Sequence, residues 1–106
     1  MDYEIIWLAE ARQSLAAEME YVYNEFGRNT LAKVYVSLME RFAQLQLFPR
    51  IGVRHEDLDY KGYEIRMLHV KRVSVVYAIH EKTVEILYIW NDRRNPESIA
   101  RILGKL

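Results

Sequence analysis

The second half of the chain carries one histidine and five basic residues that are suited to chemistry. The histidine is His69, and the bases are Arg66, Lys71, Arg72, Arg93 and Arg94. A histidine can transfer a proton near neutral pH, and guanidinium groups bind phosphate oxygens. Together these residue types predict a site for a phosphate-containing substrate. The alternative is structural, because a lone strand histidine usually only packs, and one arginine can simply pair with Asp92 or Glu97.

The periodicity around His69 leaves its position open. It has the parity of Ile65 and Met67, which predicts burial, whereas its apolar neighbours Leu68 and Val70 indicate a bulge or a change of face. Arg93 and Arg94 directly precede a predicted helix. The free N–H groups of that helix would add to an anion-binding corner.

Other familiar catalytic motifs are absent from the sequence. The four glycines are scattered, so there is no phosphate-binding loop, and there is no His-Glu-x-x-His pair for zinc. The segment His55-Glu56-Asp57-x-Asp59 has metal-capable atoms, but its spacing matches no calcium loop. We therefore expect a solvated acidic loop in this segment, no metal and no cofactor.

The composition is that of one folded domain. The chain has 106 residues, 28% of them charged, and no cysteine. This length predicts a single domain over residues 1–106, and the lack of cysteine excludes a disulfide scaffold, an iron–sulfur cluster and a thiol nucleophile. No apolar run approaches the roughly 20 residues of a membrane helix, and we expect the acidic N-terminal segment not to act as a signal peptide. We expect a cytoplasmic protein with no membrane partner.

Charge is distributed unevenly along the chain. Fifteen acids balance fifteen bases, but residues 1–26 hold six acids and one base, whereas residues 61–106 hold five acids and nine bases. The neutral total argues against indiscriminate binding of nucleic acid. The uneven distribution indicates one acidic and one basic face, although acidic helices and basic strands that are merely solvated would give the same pattern.

Two consecutive helices are predicted after a short strand over residues 2–7. The first has an apolar residue every three or four positions: Leu8, Ala11, Leu15, Met19, Val22 and Phe26. Gly27 ends it, because glycine accepts positive φ. The second helix has the stripe Leu31, Val34, Leu38, Phe42 and Leu45 and ends near Pro49. These one-sided stripes predict a helical hairpin that covers a sheet.

The rest of the chain supplies that sheet. Residues 50–62 are polar and are predicted to form a loop. Alternating apolar residues then predict strands over 63–70, 73–80 and 83–90, and the short connections favour an antiparallel meander. Asn95, Pro96 and Gly104 mark the ends of a short last helix. The predicted fold class is α+β, in the order β-α-α-β-β-β-α, with a twisted antiparallel sheet, an N-terminal helical hairpin packed on it and a short C-terminal helix.

This arrangement resembles the RelE/ParE superfamily of type II toxin–antitoxin toxins over nearly the whole chain. The matching residues are Trp7, Ala11, Leu15 and Tyr23, then Leu45 with Phe48-Pro49-x-x-Gly52, then Gly62-Tyr63-Glu64-Ile65-Arg66, then Val75-Val76-Tyr77, and last Val84-x-Ile86-Leu87 leading to Arg93-Arg94-Asn95-Pro96. The resemblance implies a twisted sheet cradled by a helical hairpin. It also implies an intracellular toxin that a cognate antitoxin neutralises in a hetero-oligomer.

The superfamily divides into two kinds of toxin, and the resemblance implies a different site for each. RelE-like members cut mRNA on the ribosome and inhibit translation. For such an endoribonuclease, the catalytic residues would be His69 as general base or acid, Arg94 on the scissile phosphate and Arg66 in support. Substrate binding would fall to Lys71, Arg72 and Arg93. ParE-like members inhibit DNA gyrase and are not nucleases.

Three departures from the RelE-like pattern keep the second kind open. The catalytic tyrosine that follows the post-strand arginine has no counterpart in Glu97-Ser98-Ile99-Ala100. The segment before the meander is acidic where the ribonucleases are often lysine-rich, and the net charge is zero. A mRNA-cleaving toxin is the first interpretation. A gyrase inhibitor, or an inactive relative that only binds its antitoxin, is the alternative.

Overall fold

A five-stranded sheet is the middle layer of the computed structural model, which describes residues 2–106. The elements in chain order are β1 (Glu4–Trp7), α1 (Ala9–Leu47), a 3-10 turn (Pro49–Ile51), β2 (Val53–Arg54), β3 (Glu64–Val70), β4 (Val73–His80), β5 (Thr83–Asn91) and α2 (Ser98–Leu103). The predicted fold class and order of elements are confirmed.

Gly27 breaks α1 into two arms, residues 9–26 and 28–47. Its backbone has φ 87° and ψ −179°, a conformation outside the helical region that side chains with a Cβ rarely adopt. Both arms bury a stripe against the same face of the sheet, including Val22 from the first arm and Leu38 from the second. The break at Gly27 that the sequence predicts is therefore confirmed. Phe26 departs from its predicted place in the buried stripe, because its side chain is 41% exposed.

The strand order is β1-β5-β4-β3-β2. Strands β3, β4 and β5 form the predicted antiparallel meander, and β1 adds to one edge parallel to β5. The predicted loop over residues 50–62 is partly wrong, since it contains most of the 3-10 turn and the two-residue strand β2, which pairs with β3 at the other edge. A two-residue strand is too short to show an alternating pattern, so no local pattern in the sequence indicates it.

Each face of the sheet has its own core. Both arms of α1 cover one face, which we call the α1 face. The opposite face, which we call the outer face, is covered by Tyr60 of the 55–63 loop and by Ile99 and Leu103 of α2. The last helix begins at Ser98, two residues after the first helical position predicted at Pro96. Asn95 caps the turn before it, where its Oδ1 accepts the N–H of Glu97 at 3.0 Å. Within residues 2–106, no helix is both long and apolar enough to cross a bilayer.

Candidate functional site

His69 lies near the end of β3 on the outer face of the sheet. It has the parity of Ile65 and Met67, as the sequence predicts, but its side chain is 65% exposed because the cover over this face does not reach it. In the sheet register, His69 is opposite Ser74, and Ser74 is opposite Trp90. This cross-strand row places the imidazole ring beside the residues that follow β5.

Asp92 holds the imidazole ring of His69. One carboxylate oxygen, Oδ2, lies 2.5 Å from His69 Nδ1, and the other, Oδ1, accepts the hydroxyl of Ser74 at 2.6 Å. A carboxylate on Nδ1 fixes the orientation of the ring, so the remaining nitrogen, Nε2, is the one left for proton transfer. Sequence reasoning treated Asp92 only as a partner for an arginine. Its place directly after β5, level with the end of β3, becomes visible only with the strand register.

Arg94 lies on the same face of the sheet. Its guanidinium carbon is 4.7 Å from the ring centroid of Trp90, and its Nη1 is 3.5 Å from the hydroxyl of Tyr88, at the long limit of a hydrogen bond. Trp90 is the residue that ends the row from His69 through Ser74. The structure therefore brings His69 and Arg94 to the same end of the outer face. Asp92 lies at this end too, directly after β5, where it contacts His69.

Arg66 lies on the opposite, α1 face, because it is three residues before His69 and strand side chains alternate. Its Nε donates to Glu64 Oε2 at 2.6 Å, and its Nη1 donates to the carbonyl oxygens of Arg50 at 3.1 Å and Gly52 at 2.7 Å. Burial acts to raise the pKa of Glu64, but the hydrogen bonds from Arg66 and Arg50 outweigh it and hold that pKa below its usual value. Arg66 thus ties the 3-10 turn to β3 and has no contact with the His69 end.

The remaining three predicted residues face α1 and not His69. Arg72 stacks its guanidinium group 3.9 Å above the ring of Phe26, and Arg93 contacts the hydroxyl and ring of Tyr21. Lys71 lies in the turn between β3 and β4, beside the second arm of α1. Of the six residues that the sequence assigned to one site, the structure collects only His69 and Arg94.

Comparison with known proteins identifies the family of the chain. The model of the family described as "ParE toxin of type II toxin-antitoxin system, parDE" matches residues 5–96. The chain belongs to the ParE toxin family. A solved chain described as "Chromosomal ParDE TA system from P. aeruginosa" has the same fold, with a TM-score of 0.66 and 20% sequence identity over 84% of this chain and 95% of that one. No curated protein matches the sequence.

Family membership makes this protein a type II toxin with an antitoxin as its partner. The RelE/ParE resemblance seen in the sequence is therefore confirmed at the level of the superfamily. The ParE-family model spans both arms of α1 and all of the sheet except Glu4, and it continues to Pro96. It therefore includes the His69 and Arg94 end of the outer face.

The acidic segment of this ParE-family toxin forms a loop in which one side chain hydrogen-bonds to the backbone. Asp59 accepts the N–H of Gly62 at 3.1 Å, and His55 Nδ1 lies 3.7 Å from a carboxylate oxygen of Asp57. Across residues 2–106, no three histidine, aspartate or glutamate side chains converge as metal ligands. The hydrogen bond from Gly62 gives Asp59 a structural role in turning the chain into β3.

Proposed function

We propose that this toxin acts by binding DNA gyrase, in the manner of ParE-like toxins, and not by cutting mRNA. The observation that carries the proposal is the separation of the predicted catalytic residues. Cleavage of RNA through its 2′-hydroxyl needs a base, an acid and several cations around a charged phosphorane. Of the five basic residues that the sequence assigned to the site, only Arg94 accompanies His69 on the outer face, while Arg66 donates to three acceptors on the other side. Membership of the ParE family supports the same interpretation.

Two assays on the wild-type toxin test this proposal. In the first, purified toxin is added to gyrase and relaxed plasmid, and we expect supercoiling to stop and cleaved DNA to accumulate. In the second, the toxin is induced in cells and mRNA is mapped by primer extension, and we expect intact transcripts. His69→Ala should still inhibit gyrase, since no proton transfer is involved. New mRNA ends together with normal supercoiling would refute the proposal, and intact mRNA with active gyrase would indicate an inactive relative that only binds its antitoxin.

A RelE-like endoribonuclease is the second candidate, and the contact between His69 and Asp92 favours it. In this case His69 acts as general base or acid, Arg94 stabilises the scissile phosphate, and Asp92 positions the imidazole. Primer extension on translated mRNA should then show cuts that disappear in His69→Ala and Arg94→Ala. Asp92→Asn should alter the pH profile of cleavage, because it changes the partner of Nδ1 without removing the imidazole.

A matched control for these variants is His80→Ala. His80 is an exposed histidine that stacks on Tyr63 with ring centroids 4.1 Å apart, and it lies at the opposite end of β4 from the row through His69. An endoribonuclease centred on His69 should keep its activity in this variant. Equal loss of cleavage in His69→Ala and His80→Ala would contradict the assignment of His69.

A further inference from the structure

Four cations gather at the end of the sheet where β3 turns into β4 and where β5 ends. Lys71 and Arg72 form the turn, and Arg93 and Arg94 follow β5. The N–H of Asp92 donates to the carbonyl oxygen of Arg72 at 3.2 Å, so the two segments are neighbours in space. We call the surface made of Lys71, Arg72, Arg93 and Arg94 the basic end. It reaches both faces of the sheet, because Arg72 and Arg93 face α1 whereas Arg94 lies on the outer face.

Aromatic rings hold all three arginines of the basic end in place. Each guanidinium carbon lies within the distance of about 6 Å from a ring centroid that is typical of cation–π contacts. These distances are 3.9 Å from Arg72 to Phe26, 5.3 Å from Arg93 to Tyr21 and 4.7 Å from Arg94 to Trp90. A guanidinium group that stacks on a ring keeps N–H donors at its edge. The three charges are therefore positioned in advance and remain able to bind an anion.

Two acidic side chains beside the basic end have other partners. Asp92 uses its two carboxylate oxygens on His69 and Ser74, and Glu18 accepts a hydrogen bond from Asn91 at 3.1 Å. The four cations are exposed, and none of the five ion pairs formed within residues 2–106 involves them. The basic end is therefore a local concentration of positive charge on a chain whose total charge is zero.

We propose that the basic end contacts phosphates of the DNA that gyrase holds, an inference that rests on the proposed function. Arginine binds phosphate well because its planar fork of donors matches two phosphate oxygens. The three arginines are already oriented by stacking, so less conformational entropy is lost when they bind.

The size of the basic end fits a contact made within a larger complex. Four phosphate contacts from a protein of zero net charge give only weak binding to DNA alone. A toxin that is also bound to gyrase keeps the DNA at a high effective concentration beside the basic end. Contacts that are weak in isolation then add to the stability of the complex of toxin, gyrase and DNA.

A titration of the full-length toxin with a fluorescent DNA duplex, followed by anisotropy without gyrase, tests the contact itself. For the wild type, the logarithm of the association constant should fall with the logarithm of the salt concentration with a slope of about −3 to −4, since each neutralised phosphate contributes about −0.9. Arg72→Gln and Arg93→Gln should each make this slope shallower by about 0.9. Lys105→Gln is the matched control. It removes one positive charge at an exposed residue near the C-terminus and should keep the wild-type slope.

Two measurements with gyrase separate this inference from the proposed function. Binding of the toxin to gyrase without DNA should be equal for the wild type and for the double variant Arg72→Gln, Arg93→Gln. Cleaved DNA in the gyrase assay should fall several-fold in the double variant, because only the DNA contacts are lost. A wild-type toxin that does not bind gyrase would refute the proposed function, and the duplex titration would then still decide whether the basic end contacts DNA.

Three results would overturn the proposal. The first is an equal salt slope for the wild type and both arginine variants. The second is weaker binding of the double variant to gyrase without DNA, because the basic end would then contact the gyrase protein. The third is tighter binding of a polyglutamate peptide or of single-stranded RNA than of the duplex. Arg93→Lys keeps the charge and should keep the wild-type slope, and thermal unfolding of each variant shows that lost binding is not lost folding.

Discussion

Replacing Tyr77 with phenylalanine is expected to destabilise the fold by about 2–6 kcal/mol, because the phenol joins two parts of the chain from inside the core. The ring is fully buried on the α1 face. Its oxygen accepts the N–H of Gly52 at 3.0 Å and donates to the carbonyl oxygen of Pro49 at 2.6 Å. Burial also raises the pKa of the Tyr77 phenol, so the group stays neutral and keeps its proton for Pro49.

The magnitude follows from the two backbone groups that the substitution leaves behind. Pro49 and Gly52 are buried, so one donor and one acceptor lose their partner without access to water. Each unsatisfied buried group costs about 1–3 kcal/mol. In a domain of this size, such a loss lowers the melting temperature by roughly 10–30 °C. Urea denaturation gives the free energy of unfolding, and Tyr23→Phe, at a tyrosine that is 49% exposed, is the matched control.

A second substitution checks the same geometry from the other side. A Cβ added at Gly52 would lie 2.6 Å from the Tyr77 oxygen and 2.8 Å from the carbonyl oxygen of Met67. Gly52→Ala should therefore be strongly destabilising, and less so in the Tyr77→Phe background, where only the Met67 clash remains. The reasoning is refuted if Tyr77→Phe costs no more than Tyr23→Phe.

Two further predictions concern the α1 break and the ion pairs of Glu64. Gly27→Ala should lower the free energy of unfolding in urea by about 1–3 kcal/mol. The space around Gly27 is open, so only the positive φ of its backbone disfavours a residue with a Cβ. Gly104→Ala is the control and should change this free energy little, because the φ of Gly104 is −65°. Glu64→Gln should cost about 1–3 kcal/mol at neutral pH. Since the folded-state pKa of Glu64 is lowered, its contribution is present above the ordinary carboxyl pKa of about 4.3 and is lost as the pH falls through the folded value. A melting-temperature difference between Glu64→Gln and wild type that stays constant from pH 7 to about pH 3 would contradict this explanation.

Local sequence patterns predicted most of the fold. The three- and four-residue spacing of apolar side chains predicted both arms of α1, and Gly27 predicted the break between them, since each depends only on residues close in the chain. The alternating strands β3, β4 and β5 followed in the same way. The strand β2 and the pairing of β1 with β5 did not, because both are set by partners far away in sequence.

The site was harder to predict than the fold. The sequence by itself determined which side chains could do chemistry: one histidine within a group of arginines and lysines, on a chain whose charges cancel. Only the tertiary structure decided which of them meet. Alternation along β3 sends Arg66 and His69 to opposite faces, and the register across three strands brings Asp92 to His69. Composition and spacing do not show which residues of neighbouring strands lie side by side, because the register depends on pairing between distant parts of the chain. The basic residues that are close in sequence therefore lie on different surfaces of the folded protein.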